Sequence, residues 1–213
     1  MTDHYFSAEP SSRLETAAAT ARIWGHELRL ETARGVFAHG RLDTGTAVLV
    51  REAGPPRHGD TFLDLGCGYG VLACALAVER PEARVWAVDV NERALAMTRA
   101  NAERLGVAAR LYAARPSEVP REVRFDGIWS NPPIRVGKSA LHEILLHWLP
   151  RLREGGEAML VVSRHLGADS LQGWLADQGF DCHRAASAKG FRVLRIRSGQ
   201  SDGAESSSSS QSQ

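Results

Sequence analysis

Three groups of residues in this sequence carry side chains that could act together on one ligand. The first is DLGCGYG, residues 64–70. Glycines at 66, 68 and 70 let the chain turn tightly and let a ligand approach the backbone. A helix starting just behind them would point its unpaired N–H groups at that ligand. The dinucleotide fingerprint G-x-G-x-x-G would need its third glycine at 71, where Val71 stands. Asp64 precedes the loop, and a carboxylate there repels a pyrophosphate but attracts an ammonium group. The second group is Asp89, in RVWAVDV, where an acid at a strand end can take both hydroxyls of a ribose. The third is SNPPI, residues 130–134.

Pro132 and Pro133 fix two φ angles and donate no N–H. Asn131, ahead of a proline, is pushed toward extended backbone. The stretch is stiff and rich in acceptors. The Asn131 carboxamide oxygen and the Pro132 carbonyl can accept both hydrogens of one planar –NH2 group. An exocyclic amine conjugated to a base ring is a poor nucleophile. Two acceptors out of the ring plane favour a pyramidal nitrogen with its lone pair aimed at an incoming carbon. Held geometry of this kind contributes about 7–11 kcal/mol in good cases. One ligand combines ammonium, ribose and adenine without phosphates, namely S-adenosylmethionine, which leaves S-adenosyl-L-homocysteine as product. The residues therefore point to methyl transfer onto an exocyclic amine, with proton loss to water because Asn131 is no base.

The surrounding pattern must place these groups side by side. TFLDL is an apolar run ending at the glycines, read as a buried strand, and VLACALAVER follows as a helix stopped by Pro81. RVWAVDV is a second strand. NERALAMTRANAERLG is a helix capped by Asn91 and ended by Gly106, with Leu95, Thr98, Ala102 and Leu105 on one face. ARLYAA and FDGIWS are further strands, KSALHEILLHWLPRL a helix, EAMLVVS a strand and DSLQGWLADQG a helix. FDCHRAA and FRVLRIR close the chain as an antiparallel pair. Alternation of this kind gives an α/β fold with a parallel sheet covered on both faces. Ligands then bind outside the carboxyl ends of the strands, which is where all three groups fall. Ahead of this region, HELRLET reads as a short strand. GVFAHGRLDTGTAVLVREA reads as a loop and a short helix, with Asp43 or Thr44 as its N-cap.

Composition narrows the class. A chain of 213 residues suits one main domain, and a net charge of +1 gives no overall field for nucleic acid. The basic residues are 24 Arg and only two Lys, Lys138 and Lys189, both near loops expected at the site. The charge-free stretch from Leu65 to Val78 is too short to cross a membrane, and the N-terminus shows no secretory pattern. Cys67, Cys74 and Cys182 form no CxxC pair and read as reduced, buried residues of a cytoplasmic protein. No metal is expected: the histidines of HEILLH are five apart, about 140° around a helix. Five basic residues and no acid lie between Cys182 and Ser201, either a phosphate-tracking edge or a solvated strand. Phe37, Phe191 and Ile134 are candidates to pack on a flipped base, and as core residues they would be equally ordinary. Three segments are expected: an extension packed on the main domain (1–58), the catalytic domain (59–197) and a disordered Ser/Gln-rich tail (198–213).

With HYFS, GVFAHGRLDTGT, LDLGCGYGVLA, VDVNERAL, SNPPIRVGK followed by His142, and KGFRVL, nearly the whole ordered chain resembles a known family. It is similar to the catalytic domain of the class I methyltransferases that modify guanine N2 in ribosomal RNA, the small-subunit type in particular. The resemblance implies a three-layer Rossmann-like fold with a seven-stranded, mostly parallel sheet and an antiparallel terminal strand. It implies S-adenosylmethionine held by Asp64, Gly66, Gly68, Gly70 and Asp89, with Cys67, Val90 and Asn131 beside them. It implies that Asn131, Pro132, Pro133 and Ile134 hold the target amine. Phe37, Arg135, Lys138, Lys189 and Phe191 are then the candidates for substrate contact, with ribosomal RNA or a ribosomal subunit as partner. Larger family members carry a second, degenerate methyltransferase-like domain in front that helps hold RNA, and this sequence shows no counterpart.

The family often places an acid after the third strand of the main region, to meet the adenine amino group. Here the sequence reads AARPSEV, which leaves backbone groups, Ser117 or Glu118 for that task. That departure keeps a non-catalytic RNA-binding module open as an alternative. Methylation of adenine N6 or of a protein glutamine amide is a second alternative; those relatives usually carry an aromatic where Ile134 stands.

Overall fold

A computed structural model describes residues 16–33, 42–132 and 137–197. Seven strands form the central sheet: β3 (Thr61–Leu65), β4 (Arg84–Val88), β5 (Leu111–Ala114), β6 (Phe125–Ser130), β7 (Leu152–Ser163), β8 (Asp181–Ala188) and β9 (Phe191–Arg197). Their order is β5-β4-β3-β6-β7-β9-β8, with β9 antiparallel to both neighbours. The other pairings are parallel. Strand order reverses beside β3, so the switch point lies between the ends of β3 and β6.

Helices α1 (Thr44–Ala53), α2 (Val71–Glu79) and α3 (Glu92–Arg104) belong with one apolar cluster on one face. Helices α4 (Lys138–Trp148) and α5 (Ala168–Asp177) belong with a second cluster on the other. Strand β3 serves both, because alternate side chains point to opposite faces. Phe62 joins the first cluster, and Leu63 and Leu65 the second. Every residue of β3 is buried, which is why its sequence reads as continuous rather than alternating.

The hairpin of β1 (Thr16–Ile23) and β2 (His26–Ala33) stands outside the main sheet. Its two-residue turn, Trp24-Gly25, has positive φ at both positions, the twist that suits a tight hairpin. Ala19, Ala21 and Ile23 are buried and alternate with exposed Ala18, Thr20 and Arg22. The sequence reading found β2 but not β1, because four alanines in eight residues give no apolar contrast and favour a helix by propensity. Side-chain hydrogen bonds fasten the hairpin to the main body. Trp24 Nε1–H donates to Val50 O (2.9 Å), and His26 Nε2 meets Glu79 Oε2 (2.9 Å). Buried Asn101 of α3 accepts from Glu31 N–H (2.7 Å) and donates to Glu31 O (2.8 Å).

Strand β7 starts earlier than expected from EAMLVVS. Its pairing with β6 jumps from Phe125–Leu152 to Gly127–Glu157, so the Arg153–Gly156 stretch is looped out as an irregularity. Asp43 caps α1, its side chain accepting from Thr46 N–H (3.0 Å). Phe37, Pro133, Ile134, Arg135 and the expected tail from Ser198 lie outside the described residues.

Candidate active site

The glycine loop folds back onto the end of β4. Gly66 and Cys67 N–H both donate to Val88 O (2.8 and 3.0 Å), and Gly70 N–H donates to Cys67 O (2.9 Å). Gly66, Gly68 and Gly70 all have positive φ, which side chains other than glycine rarely adopt. Gly70 is also the left-handed N-cap of α2, and a Cβ there would lie 2.7 Å from Thr98. Thr98 Oγ1–H in turn donates to Gly68 O (3.1 Å). The loop is thus set by backbone contacts before any ligand arrives. Cys67 is buried with its sulfur toward Thr98, so what it offers the pocket is its backbone.

Two carboxylates flank this loop. Asp64 is buried at the end of β3 and accepts from Ala73 N–H (2.9 Å). Burial drives its carboxyl up to about 7; the Ala73 hydrogen bond opposes the rise and the charge of Asp89 adds to it. Asp89 accepts from Gly68 N–H on one oxygen (3.0 Å) and from Asn91 N–H on the other (2.9 Å). These two backbone donors fix the direction of the carboxylate at the end of β4. Val90, next along, is 50% exposed, an apolar side chain standing open beside an acid. A phosphate has no welcome between two carboxylates, whereas a cationic, phosphate-free nucleoside matches this donor and acceptor set.

Asn131 follows β6, whose last residue, buried Ser130, donates through Oγ to Leu65 O (2.7 Å). That bond ties the end of β6 to the end of β3 beside the glycine loop. The Asn131 amide nitrogen donates to Asp43 Oδ2 (2.7 Å) and Thr46 Oγ1 (3.1 Å). Both partners come from the start of α1. Gly45 lies between them with no room to spare. A Cβ added there would sit 3.0 Å from Asp43 Oδ2, 3.1 Å from Phe191 Cε1 and 3.2 Å from Asn131 Nδ2. The structure therefore brings Asn131, Asp43, Thr46 and Phe191 into one cluster.

Lys189 lies in the two-residue turn between β8 and β9, with positive φ at both Lys189 and Gly190. Phe191 pairs with Ser163 at the carboxyl end of β7, so this turn shares an end of the sheet with Asn131. Lys138 opens α4 on the other face, where Nζ donates to Ser170 Oγ (3.2 Å). No contact joins it to the Asn131 cluster among the described residues. After β5, Glu118 folds back to accept from Arg115 N–H (2.7 Å), which engages one of its oxygens locally. Of the basic residues on β8 and β9, Arg192 pairs with Asp169, and Arg195 and Arg197 with Glu157. The two histidines of HEILLH go separate ways: His142 stacks on Trp174 and His147 meets the edge of Trp148. Burial pushes the Cys74 thiol up to about 12, with a further push from Asp64, and Cys67 moves the same way, so both stay protonated.

Sequence reasoning missed Asp43, Gly45 and Thr46 as members of the site. They lie 85 to 88 residues from Asn131, and the only signal was the compact string LDTGT, in which Asp43 read as a cap. Tyr69 was also missed. Its hydroxyl is buried with no hydrogen-bond partner among the described residues, and burial, then the charge of Asp43, raises its pKa.

A family model described as methyltransferase small domain matches residues 27–195. The chain belongs to that family. It is 36% identical over 185 residues to ribosomal RNA small subunit methyltransferase C of Ectopseudomonas mendocina. That match covers 80% of this chain and 51% of the relative. It is 29% identical to the uncharacterized protein YbxB of Bacillus subtilis, covering 92% of this chain and 99% of that one. Among solved structures, it is similar to a 16S rRNA N2-guanine methyltransferase (RsmC) from T. thermophilus, in complex with AdoMet and guanosine. There the identity is 27%, the TM-score 0.73, and the coverage 90% of this chain and 52% of that one. The chain spans about half the length of the named ribosomal RNA methyltransferases and nearly all of the B. subtilis protein.

Proposed function

We propose that the protein transfers a methyl group from S-adenosylmethionine to the exocyclic N2 amine of a guanine in ribosomal RNA. The observation that carries this is the fixed Asn131 carboxamide. Its nitrogen is committed to Asp43 and Thr46, so its oxygen is the end left to act as an acceptor, with no partner among the described residues. An acceptor in that place suits an –NH2 group, which has two hydrogens to give, and gives nothing to an alkoxide or thiolate, which has none. Similarity to a methyltransferase solved with AdoMet and guanosine supports the same reading.

In this reading Asp64 takes the ammonium of the bound cofactor, Asp89 the ribose hydroxyls, and Val90 one face of the adenine. Gly66, Cys67, Gly68 and Gly70 supply the close backbone. When bound, S-adenosylmethionine supplies a methyl group on a sulfonium, and the nitrogen that receives it sheds one proton to water. Asn131 and the Pro132 carbonyl accept the two amine hydrogens, and Pro133 and Ile134, outside the described residues, are assigned to the same task by the SNPPI motif. Phe191 offers a ring for the flipped base and Lys189 a cation for the RNA backbone on the same end of the sheet, with Lys138 and Arg135 as further candidates for RNA contact. Flipping costs a few kcal/mol, which favours an unpaired or looped guanine. Residues 59–197 act as the catalytic domain, with 1–58 an extension on it and 198–213 a tail. No helix among the described residues is long and apolar enough to cross a membrane, and a cytoplasmic setting fits a ribosomal substrate.

The test is a comparison of modified nucleosides in ribosomal RNA from cells with and without this gene. Loss of one N2-methylguanosine on deletion, restored by the gene, is the expected result. An unchanged nucleoside profile overturns the proposal.

A further inference from the structure

A carboxamide is nearly symmetric in shape. Turned by 180°, Asn131 would present –NH2 in place of its oxygen, and a donor facing an amine repels it. Backbone geometry leaves this flip open, since the pre-proline restriction and the Ser130–Leu65 bond fix only the chain. The contact that closes it comes from Asp43. A carboxylate has no hydrogen to give, so only the –NH2 side of Asn131 can face Asp43 Oδ2 at 2.7 Å. The same Oδ2 takes Thr46 N–H at 3.0 Å, which fixes the carboxylate as the N-cap of α1. Thr46 Oγ1 accepts the second amide hydrogen at 3.1 Å. Gly45, the residue between them, has no Cβ to push α1 away from Asn131 and Phe191.

We propose that Asp43 is a positioning residue for methyl transfer: through α1 it locks the flip state of Asn131, so that the carboxamide oxygen faces the acceptor amine. This rests on the amine-methylating role given to Asn131 above. It assigns LDTGT a task separate from capping. The negative charge at Asp43 strengthens the bond to the amide nitrogen, because charge-assisted hydrogen bonds are roughly twice as strong as neutral ones. It also draws the amide dipole so that the free oxygen is the more negative end, toward a nitrogen that gains positive charge as it is methylated.

The replacement Asp43→Asn separates this from capping, because Asn and Asp are about equal as N-caps. Asp43→Asn should keep the melting temperature and the cofactor affinity, yet lower kcat about tenfold with little change in KM, since a charged bond is replaced by a neutral one. Asp43→Ala and Thr46→Val should lower kcat further, with Asp43→Ala nearing the roughly hundredfold loss of a misplaced group. A readout free of turnover guards against failure of the functional reading. The Asn131 side-chain amide protons, followed by NMR, should exchange slowly in the parent protein and at least tenfold faster in Asp43→Ala, as a half-buried hydrogen bond to a charged partner is lost. Equal exchange in Asp43→Ala and the parent overturns the proposal, whether or not methyl transfer is seen. So does full kcat in both Asp43 variants. An inactive parent protein whose amide protons still depend on Asp43 sinks the functional reading instead and leaves the lock standing.

Discussion

Asp64 makes cofactor binding a proton-linked event. Its carboxyl is buried and pushed up from 3.8 to about 7, chiefly by burial. An ammonium ligand needs the ionised form. Below pH 7 the free protein holds a proton that must leave on binding. At pH 6 about one tenth of the protein is ionised, and at pH 5 about one hundredth, so apparent affinity should fall about tenfold and then about a hundredfold from its plateau. The window ends near pH 7.7, where the ligand's own α-amino group begins to lose its charge. Calorimetry between pH 5 and 7, in buffers of differing ionisation enthalpy, should show close to one proton released at the acid end. Asp64→Asn should flatten that profile at a lower affinity. The sign for stability follows from the same shift. A folded value above the unfolded one means stability that is full below about pH 4 and lost as pH rises through about 7. The ligand-free protein should therefore melt lower at pH 8 than at pH 5, and Asp64→Asn should remove that difference. An affinity independent of pH from 5 to 7, with no proton release, would refute the role given to Asp64.

Other variants probe other links. Asn131→Ala should abolish transfer and change cofactor affinity less than twofold by calorimetry, because its contacts run to Asp43 and Thr46 rather than to the glycine loop. Gly45→Ala should lower kcat tenfold or more while the melting temperature changes little. The helix gains up to about 1 kcal/mol of propensity, but the new Cβ crowds Asn131 and Phe191. Asn101→Ala should cost about 2–4 kcal/mol in chemical denaturation, since Glu31 N–H, Glu31 O and Tyr69 O all lose their partner. It should also weaken the cofactor, because Tyr69 belongs to the glycine loop.

The fold was largely legible because its strands and helices alternate with clear breaks. TFLDL before three glycines, Asn91 before a helix and Gly106 after it each mark a boundary by a local physical rule. The first strand was not legible, since alanine offers neither the branching nor the bulk that marks a strand, and its conformation comes from pairing with β2. The early start of β7 was missed for a similar reason: the looped residues Arg153–Gly156 carry no strand pattern of their own. In the site, Asp64, Asp89 and Asn131 were legible by type and by their place after strands. The Asp43–Asn131 contact was not, because it joins a helix cap to a loop 88 residues away and depends on how α1 lies across β7 and β9. Arg192, Arg195 and Arg197 read as a basic edge, yet their acids come from other elements, and only the fold pairs them.

The most direct measurement is the identity of the methylated atom. Purified protein would be incubated with S-adenosylmethionine labelled in its methyl group and with ribosomal RNA lacking its natural methylation, free or in small subunits. After digestion, the label is expected in N2-methylguanosine, and absent when Asn131→Ala replaces the parent. Label on adenine N6, on a protein amide or nowhere in either substrate would contradict it.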